Sequence, residues 1–136
     1  MAGCDGSIKE LRSTFGGRGW HELADLLEAG YRGEFVALRI VRDSPSQTVA
    51  GDLAAKMQVT TARVAAMLRS LEKKGFICRA RSEEDGRNVI VTLTQEGAAA
   101  LEEREREVDA FLEKMLGKLT EEERRALVRI AEKLFG

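Results

Sequence analysis

The sequence predicts a mainly α (α+β) fold, and three observations lead to this prediction. Apolar residues recur at helical spacing over most of the 136 residues. One segment of alternating character, residues 76–93, carries an Asp-Gly turn signal and predicts a two-stranded hairpin. Directly before it, residues 48–74 read as two short helices joined by a tight turn. Together these features predict a winged helix-turn-helix domain with flanking N- and C-terminal helices.

The N-terminal part of the chain predicts three helices. Residues 8–11 begin a short amphipathic segment that the glycines of residues 16–19 should interrupt, because glycine costs about 1 kcal/mol in a helix interior. A second helix is expected from near Trp20, with Gly30 as its C-terminal cap. A third helix should run from about Gly33 to Asp43, before a proline forces a turn.

The central segment predicts the helix-turn-helix. Its first helix is expected over residues 48–56, with Leu53 and Ala54 facing inward. Residues 58–60 form the turn, and the Thr60 hydroxyl is well placed to accept a hydrogen bond from an unpaired N–H of the next helix. That next helix, the recognition helix, should span about Thr61 to Lys74.

The recognition helix has an apolar side and an outward side. At about 100° per residue its inner side carries Val64, Leu68 and Leu71, and its outer side carries Ala62, Ala66, Arg69 and Lys73, with Arg63 and Ser70 on one flank. Small outward residues let a helix enter the major groove of DNA, where Arg63 and Arg69 would be long probes. Alanine is also the best helix former, so this helix alone leaves both interpretations open.

The hairpin after this helix predicts the wing. Its strands are expected at residues 76–81 and 89–93, joined by a polar tip at residues 82–88. Arg87 at the tip can enter a narrow minor groove, and Asp85 can hold the Arg87 guanidinium in a bidentate pair. A purely structural salt bridge within the hairpin is the alternative for Asp85 and Arg87, and both roles can coexist.

Two helices are expected after the wing. The first begins near Thr94 and runs to about Leu116, and a capping box, Thr120-x-x-Glu123, opens the second. Each has an apolar stripe that extends beyond a small domain, so we expect the stripes to be covered by a second copy of the chain. Packing against the N-terminal helices of the same subunit is the competing interpretation.

Basic charge is concentrated in the middle of the chain. Residues 42–88 hold nine basic and six acidic side chains, whereas residues 94–136 hold eight and eleven, although the whole chain has a net charge of −1. Phosphate contacts need such a local excess of lysine and arginine. The residues predicted to bind double-stranded DNA are Thr60, Thr61, Ala62, Arg63, Ala66, Arg69, Ser70, Lys73, Arg79, Arg81, Asp85 and Arg87.

Other functional classes find little support in the sequence. There is no phosphate-binding glycine loop and no metal-ligand cluster, and His21 is the only histidine, so we expect no enzyme activity, no cofactor and no metal. Cys4 and Cys78 lie far apart, and Cys78 is expected to pack within its strand. No apolar run is long enough for a membrane span and no signal peptide is visible, which predicts a soluble, cytoplasmic protein.

From about Gly33 to the C-terminus, the chain resembles the MarR family of bacterial winged-helix transcription regulators. The resemblance rests on the order and spacing of Asp52-Leu53-Ala54, Val59-Thr60-Thr61-Ala62-Arg63-Val64, Leu71-Glu72-Lys73-Lys74-Gly75-Phe76-Ile77, and Asp85-x-Arg87 followed by Val91-Thr92-Leu93-Thr94-x-x-Gly97. It implies a homodimer formed by the N- and C-terminal helices, with recognition helices in the major grooves of a pseudo-palindromic operator and Arg87 in the minor groove.

The resemblance also implies regulation. Many relatives are repressors released by a small phenolic or lipophilic ligand bound between the dimerisation helices and the DNA-binding part. Others sense oxidants through an N-terminal cysteine, and Cys4 lies in that region. Two features depart from the family: residues 16–19 interrupt the long first helix, and Glu83 and Glu84 place negative charge on the wing.

These observations predict one winged-helix domain over residues 1–136. Residues 33–93 are its DNA-binding region, and residues 1–32 and 94–136 form its helical dimerisation region. The predicted function is a homodimeric, sequence-specific DNA-binding transcriptional regulator, a repressor with a small-molecule effector. The alternative is a winged-helix protein-interaction or ligand-sensing module that does not bind DNA, and the acidic wing residues motivate it.

Overall fold

The computed structural model describes residues 5–31 and 33–136, apart from the side chains of residues 5 and 29–31. Cys4, the residue considered for oxidant sensing, lies outside this part of the chain. The described chain is mainly helical with one small sheet, as the sequence predicts. Its elements are α1 (Asp5–Phe15), α2 (Arg18–Tyr31), α3 (Glu34–Asp43), β1 (Thr48–Val49), α4 (Ala50–Met57), α5 (Thr61–Lys73), β2 (Ile77–Arg81), β3 (Val89–Leu93), α6 (Gln95–Leu116) and α7 (Glu121–Phe135).

The chain divides into two compact units, one ending at Glu102 within α6 and the other covering Glu103–Gly136. The core of the first unit gathers residues from α3, α4, α5, β2, β3 and the start of α6. Leu38, Leu53, Leu68, Leu71 and Leu101 are its largest fully buried side chains. No described helix is both long enough and apolar enough to cross a membrane.

The sheet of the first unit has three antiparallel strands in the order β1-β3-β2. β2 and β3 form the predicted hairpin, with Ile77 opposite Leu93 and Arg81 opposite Val89. The prediction that the first helix of the helix-turn-helix begins at residue 48 was wrong, because Thr48 and Val49 form β1 instead. Thr48 lies opposite Val91, so these two β-branched residues extend along β3.

The glycine-rich segment near the N-terminus separates two helices, as predicted. α1 ends at Phe15, and the Gly17 N–H donates to the Thr14 carbonyl over 3.0 Å. The next helix starts two residues earlier than Trp20 and continues to Tyr31, so the expectation that Gly30 caps its end was wrong. The rings of Phe15 and Trp20 pack across the break with centroids 4.5 Å apart.

α6 begins against the junction between α5 and β2. The Thr94 hydroxyl accepts from the Gly97 N–H at 3.0 Å and donates to the Gly75 carbonyl, while the Thr94 N–H donates to the Phe76 carbonyl at 3.0 Å. Gly97 is buried, and a Cβ atom there would lie 2.0 Å from the Phe76 oxygen. Only glycine therefore allows α6 to approach the chain this closely.

The second unit contains the end of α6 and the whole of α7. The predicted capping box is present, because the Thr120 hydroxyl accepts from the Glu123 N–H at 3.2 Å and the Glu123 carboxylate accepts from the Thr120 N–H at 2.9 Å. These hydrogen bonds pair two N–H groups that would otherwise lack partners at the helix start. The backbone hydrogen bond from Thr120, the main cause, lowers the pKa of Glu123.

Candidate nucleic-acid interface

A tight turn and an N-terminal cap fix the start of α5. Gln58 ends α4 in the left-handed conformation, with φ of 56° and ψ of 43°. The Val59 N–H donates to the Ala54 carbonyl at 3.1 Å, which closes the turn. The Thr60 hydroxyl accepts from the Arg63 N–H at 3.2 Å, as the sequence predicts, and so holds the first turn of the helix.

The two sides of α5 differ sharply in exposure. Its inner side is inserted in the core, where Val64, Leu68 and Leu71 are at most 3% exposed. An exposed stripe runs along the opposite side and consists of Ala62, Ala66, Arg69 and Lys73; we call it the outward stripe. Thr60, Thr61 and Arg63 are also exposed, at the N-terminal end of the helix. Ser70 is only half-buried and its hydroxyl bonds to Glu34 of α3, so it faces α3.

Some basic residues of the middle segment form ion pairs within the fold, and others do not. Lys74 pairs with Glu34 of α3, and Arg79 pairs with Glu72 of α5. Among the described residues, no ion pair engages the remaining exposed cations of α4, α5 and the wing, which are Lys56, Arg63, Arg69, Lys73, Arg81 and Arg87. These cations remain available to anionic groups, whereas Lys74 and Arg79 are engaged within the fold.

Hydrogen bonds shift the pKa values of residues in the two ion pairs. The bond from Arg79 is the main cause that holds the pKa of Glu72 below its ordinary value, and the same bond raises the pKa of Arg79. Burial raises the pKa of Glu34. The hydrogen bonds from Lys74 and Ser70 together lower it by more than burial raises it, so the pKa lies below its ordinary value. Both carboxylates are therefore ionised at neutral pH. No spacing rule identifies Glu34 or Glu72 as the partner, because each ion pair joins two different elements.

Asp85 organises the backbone of the wing tip. One carboxylate oxygen accepts from the Arg87 N–H at 3.1 Å, and the other accepts from the Asn88 side-chain amide at 3.3 Å. The Asn88 N–H donates to the Asp85 carbonyl at 3.0 Å, which closes the turn. The prediction that Asp85 holds the Arg87 guanidinium in a bidentate pair was wrong, because the Asp85 carboxylate accepts hydrogen bonds from the Arg87 N–H and the Asn88 side chain instead. The Arg87 side chain is left exposed.

Cys78 differs from its predicted environment. We expected it to pack within its strand, but it is an exposed free cysteine. Side chains alternate along β2, so the burial of Ile77 on one face puts Cys78 on the solvent face opposite exposed Thr92.

Comparison with known proteins identifies the family. A profile of the MarR family matches residues 31–89. The uncharacterised HTH-type transcriptional regulator YdgJ of Bacillus subtilis is 34% identical over 74% of this chain and 60% of its own length. The HTH-type transcriptional repressor Mb2911 of Mycobacterium bovis is 37% identical over 74% of this chain and 72% of its own length. The chain thus spans less than two thirds of YdgJ.

A solved structure shares the fold over nearly the whole chain. The crystal structure of Streptococcus pneumoniae FabT in complex with DNA has a TM-score of 0.69 and 25% identity, and it covers 94% of this chain and 92% of FabT. The sequence matches and this structural likeness agree with the helix-turn-helix and wing described above. The chain belongs to the MarR family of winged helix-turn-helix transcriptional regulators.

Proposed function

We propose that this protein regulates transcription as a homodimer that binds a pseudo-palindromic operator, with α5 in the major groove and the wing in the minor groove. The observation that carries the proposal is the outward stripe. One side of α5 is buried in the core, while the other offers small residues and unpaired cations to an outside partner. The FabT structure supports the proposal because a relative with the same fold binds DNA.

The residues of the outward stripe suit a major groove. Ala62 and Ala66 keep the N-terminal half of the outward stripe narrow, and their methyl groups can contact the methyl group of thymine. Arg69 has the length and the two-pronged donor geometry to bind guanine through O6 and N7. Arg63 at the start of the helix provides a second long probe. We assign contacts with the bases to Ala62, Arg63, Ala66 and Arg69. We assign phosphate contacts to Lys56 and Lys73.

The wing suits the minor groove beside it. Asp85 fixes the backbone of Arg87 through a hydrogen bond of 3.1 Å, while the guanidinium remains exposed. A narrow minor groove concentrates negative potential and attracts arginine. We therefore assign minor-groove insertion to Arg87, phosphate contact to Arg81, and positioning of the Arg87 backbone to Asp85.

Exposed apolar surfaces support dimerisation. In the first unit, Ile8, Leu11 and Phe15 of α1 are 45–52% exposed. In the second unit, α7 exposes Leu127, Val128, Ile130, Leu134 and Phe135 at 46–86%. Surfaces of this kind are typical of regions that meet a partner. We assign both to the dimer interface, which makes residues 1–32 and 94–136 the dimerisation region and residues 33–93 the DNA-binding region.

Repression and release by an effector complete the proposal. The relative Mb2911 is named a repressor, which supports the same direction of control here. A cavity of about 260 Å³ lies between α3 and α5, lined by Val36, Met57, Val59, Met67 and Arg63 among others. A small ligand bound there would lie against Arg63 and compete with the contact of Arg63 to DNA.

The experiment that tests DNA binding starts from a random duplex pool. Sequences selected by the full chain are titrated at several salt concentrations, and the affinity should fall steeply as salt rises, because cationic contacts release counterions. Arg69→Ala should weaken specific binding by about 5- to 100-fold and relax base preference at one position of each half-site. Arg87→Ala should weaken binding and remove the preference for a narrow minor groove.

Lys9→Ala serves as the control because it removes an exposed cation of α1 that has no assigned DNA contact. If Arg69→Ala and Arg87→Ala bind like the Lys9→Ala control over the whole salt series, the assigned contacts are wrong. If the parent shows no salt-dependent binding to any duplex, the alternative of a module that does not bind DNA replaces this proposal.

Dimerisation is tested by measuring the mass in solution. Ile130→Asp places a charge on the apolar face of α7 and should shift the protein toward the monomer, because the charge must lose its water in the interface. Arg129→Ser, on the same helix, should leave the dimer intact. Light scattering after size-exclusion chromatography measures both. An unchanged mass for Ile130→Asp would remove α7 from the interface.

A further inference from the structure

Two ion pairs hold the C-terminal end of α5 on opposite flanks. Glu72, Lys73 and Lys74 are consecutive, so Glu72 and Lys74 point about 100° to either side of Lys73. Lys73 is the last residue of the outward stripe. On one flank, Glu72 is bound by Arg79 of β2, and on the other, Lys74 is bound to Glu34 of α3. The stripe therefore lies between two links to neighbouring elements.

The link to β2 has the stricter geometry. The Arg79 Nε donates to one Glu72 carboxylate oxygen at 3.2 Å, and a terminal guanidinium nitrogen donates to the other at 3.1 Å. This bidentate arrangement fixes both distance and orientation, which a lysine in place of Arg79 could not do. Because β2 is the first strand of the wing, the pair joins the recognition helix directly to the hairpin that carries Arg87.

The charge of Glu72 makes its position unexpected. It is an exposed acidic residue beside Lys73 on a surface assigned to DNA, where negative charge repels phosphate. Simple electrostatics predicts that removing this charge would strengthen DNA binding. If Glu72 instead holds α5 and the wing in a fixed mutual orientation, removing its charge should weaken DNA binding. Without the ion pair, a smaller fraction of the molecules has the orientation that binds DNA.

We propose that Glu72 and Arg79 are positioning residues, whose ion pair holds α5 and the wing in the mutual orientation that DNA binding requires. In this role Arg79 acts through Glu72 and does not contact phosphate, although the sequence alone placed it among the DNA-binding residues. The inference rests on the proposed DNA-binding function and adds to it an acidic residue that promotes binding. Surface ion pairs contribute little to stability, so the role is in orientation.

The test compares three single substitutions and one double substitution in the full-length protein, using the duplex selected from the random pool. Glu72→Gln and Arg79→Lys should each weaken binding about three- to fivefold, which is the effect of losing one exposed pair. The slope of log affinity against log salt should stay unchanged, because no phosphate contact is lost. Glu72→Gln combined with Arg79→Lys should weaken binding no more than either single substitution, since one interaction is removed in each case.

Glu84→Gln is the matched control. Glu84 is an exposed acidic residue of the wing tip with no bond to another described residue, so its neutralisation should strengthen binding. Thermal unfolding confirms that all variants fold. Weaker binding by Glu72→Gln together with stronger binding by Glu84→Gln supports the positioning role, because the same change of charge then has opposite effects.

Two results overturn the inference. Glu72→Gln could strengthen binding as Glu84→Gln does, which would make Glu72 a simple repulsive charge. Alternatively, the losses from Glu72→Gln and Arg79→Lys could add in the double variant, which would make the two residues independent. A parent protein that binds no duplex overturns the proposed function itself, and that result appears before any variant is compared.

Discussion

The replacement Gly97→Ala tests how closely α6 packs on the junction between the recognition helix and the wing. The added Cβ would lie 2.0 Å from the Phe76 oxygen and 2.9 Å from Leu93 Cδ1, and real Cβ atoms essentially never come closer than 3.0 Å. The start of α6 must therefore move by at least the difference, 1.0 Å, from a backbone atom that cannot rotate away. The same oxygen accepts the hydrogen bond from the Thr94 N–H, which the movement would lengthen.

The expected loss of stability follows from these contacts. Overpacking against the backbone costs about 3 kcal/mol, and loss of the hydrogen bond adds about 1 kcal/mol. The better helix propensity of alanine returns about 1 kcal/mol, so the net loss is about 3 kcal/mol. For a chain of this size, that corresponds to a fall in Tm of about 10 °C.

Urea denaturation and thermal unfolding of Gly97→Ala, Gly51→Ala and the parent measure this effect. Gly51 lies within α4, and an added Cβ there would meet nothing within 4 Å, so Gly51→Ala should leave the stability unchanged or raise it by up to about 1 kcal/mol. Equal stability of Gly97→Ala and the parent would refute the close approach of α6 to Phe76.

Three further predictions concern the caps and the core. Thr60→Ala should lower the free energy of unfolding by about 1 kcal/mol, because the Arg63 N–H loses its cap, whereas Thr60→Ser should retain most of the stability; urea denaturation that does not separate them would contradict the cap. Leu68→Ala should lower the same free energy by about 2–5 kcal/mol, since Leu68 is 2% exposed, while Ala66→Ser on the outward stripe should change it little. The pKa of Glu123 is lowered from 4.5 in the fold, so its stabilisation of α7 is complete above pH 4.5 and is lost as pH falls through the lowered value. Circular dichroism during acidification should show this loss in the parent and less of it in Glu123→Gln, and identical acid titrations would contradict it.

Local sequence signals predicted the elements that carry the candidate site. The spacing of Val64, Leu68 and Leu71 identified the buried side of α5, and Thr60 marked its start. The Asp-Gly turn and the alternating residues around it placed both strands of the wing to within one residue. These features depend on neighbours that are close in sequence, which is why the sequence reveals them.

Features that depend on distant parts of the chain were missed. β1 has only two residues and exists because Thr48 and Val49 pair with β3, more than forty positions away. The bidentate pair between Glu72 and Arg79 crosses from a helix to a strand, and no spacing rule predicts it. The Asp85 carboxylate had two partners within reach, the backbone and the guanidinium of Arg87, and only the structure shows that it takes the backbone.

The central claim, that the outward stripe of α5 lies in a DNA groove, is tested most directly by site-specific cross-linking. In a Cys4→Ser, Cys78→Ser background, Ala66→Cys is combined with the selected duplex, in which a base carries a tether in the major groove that ends in a mixed disulfide with a small thiol. The cysteine attacks this disulfide and releases the small thiol. Ala66→Cys should form a disulfide with the tethered base in the bound complex, whereas Glu122→Cys, exposed on α7, should not. If Ala66→Cys cross-links no faster than Glu122→Cys while the duplex remains bound, α5 is not the helix that enters the groove.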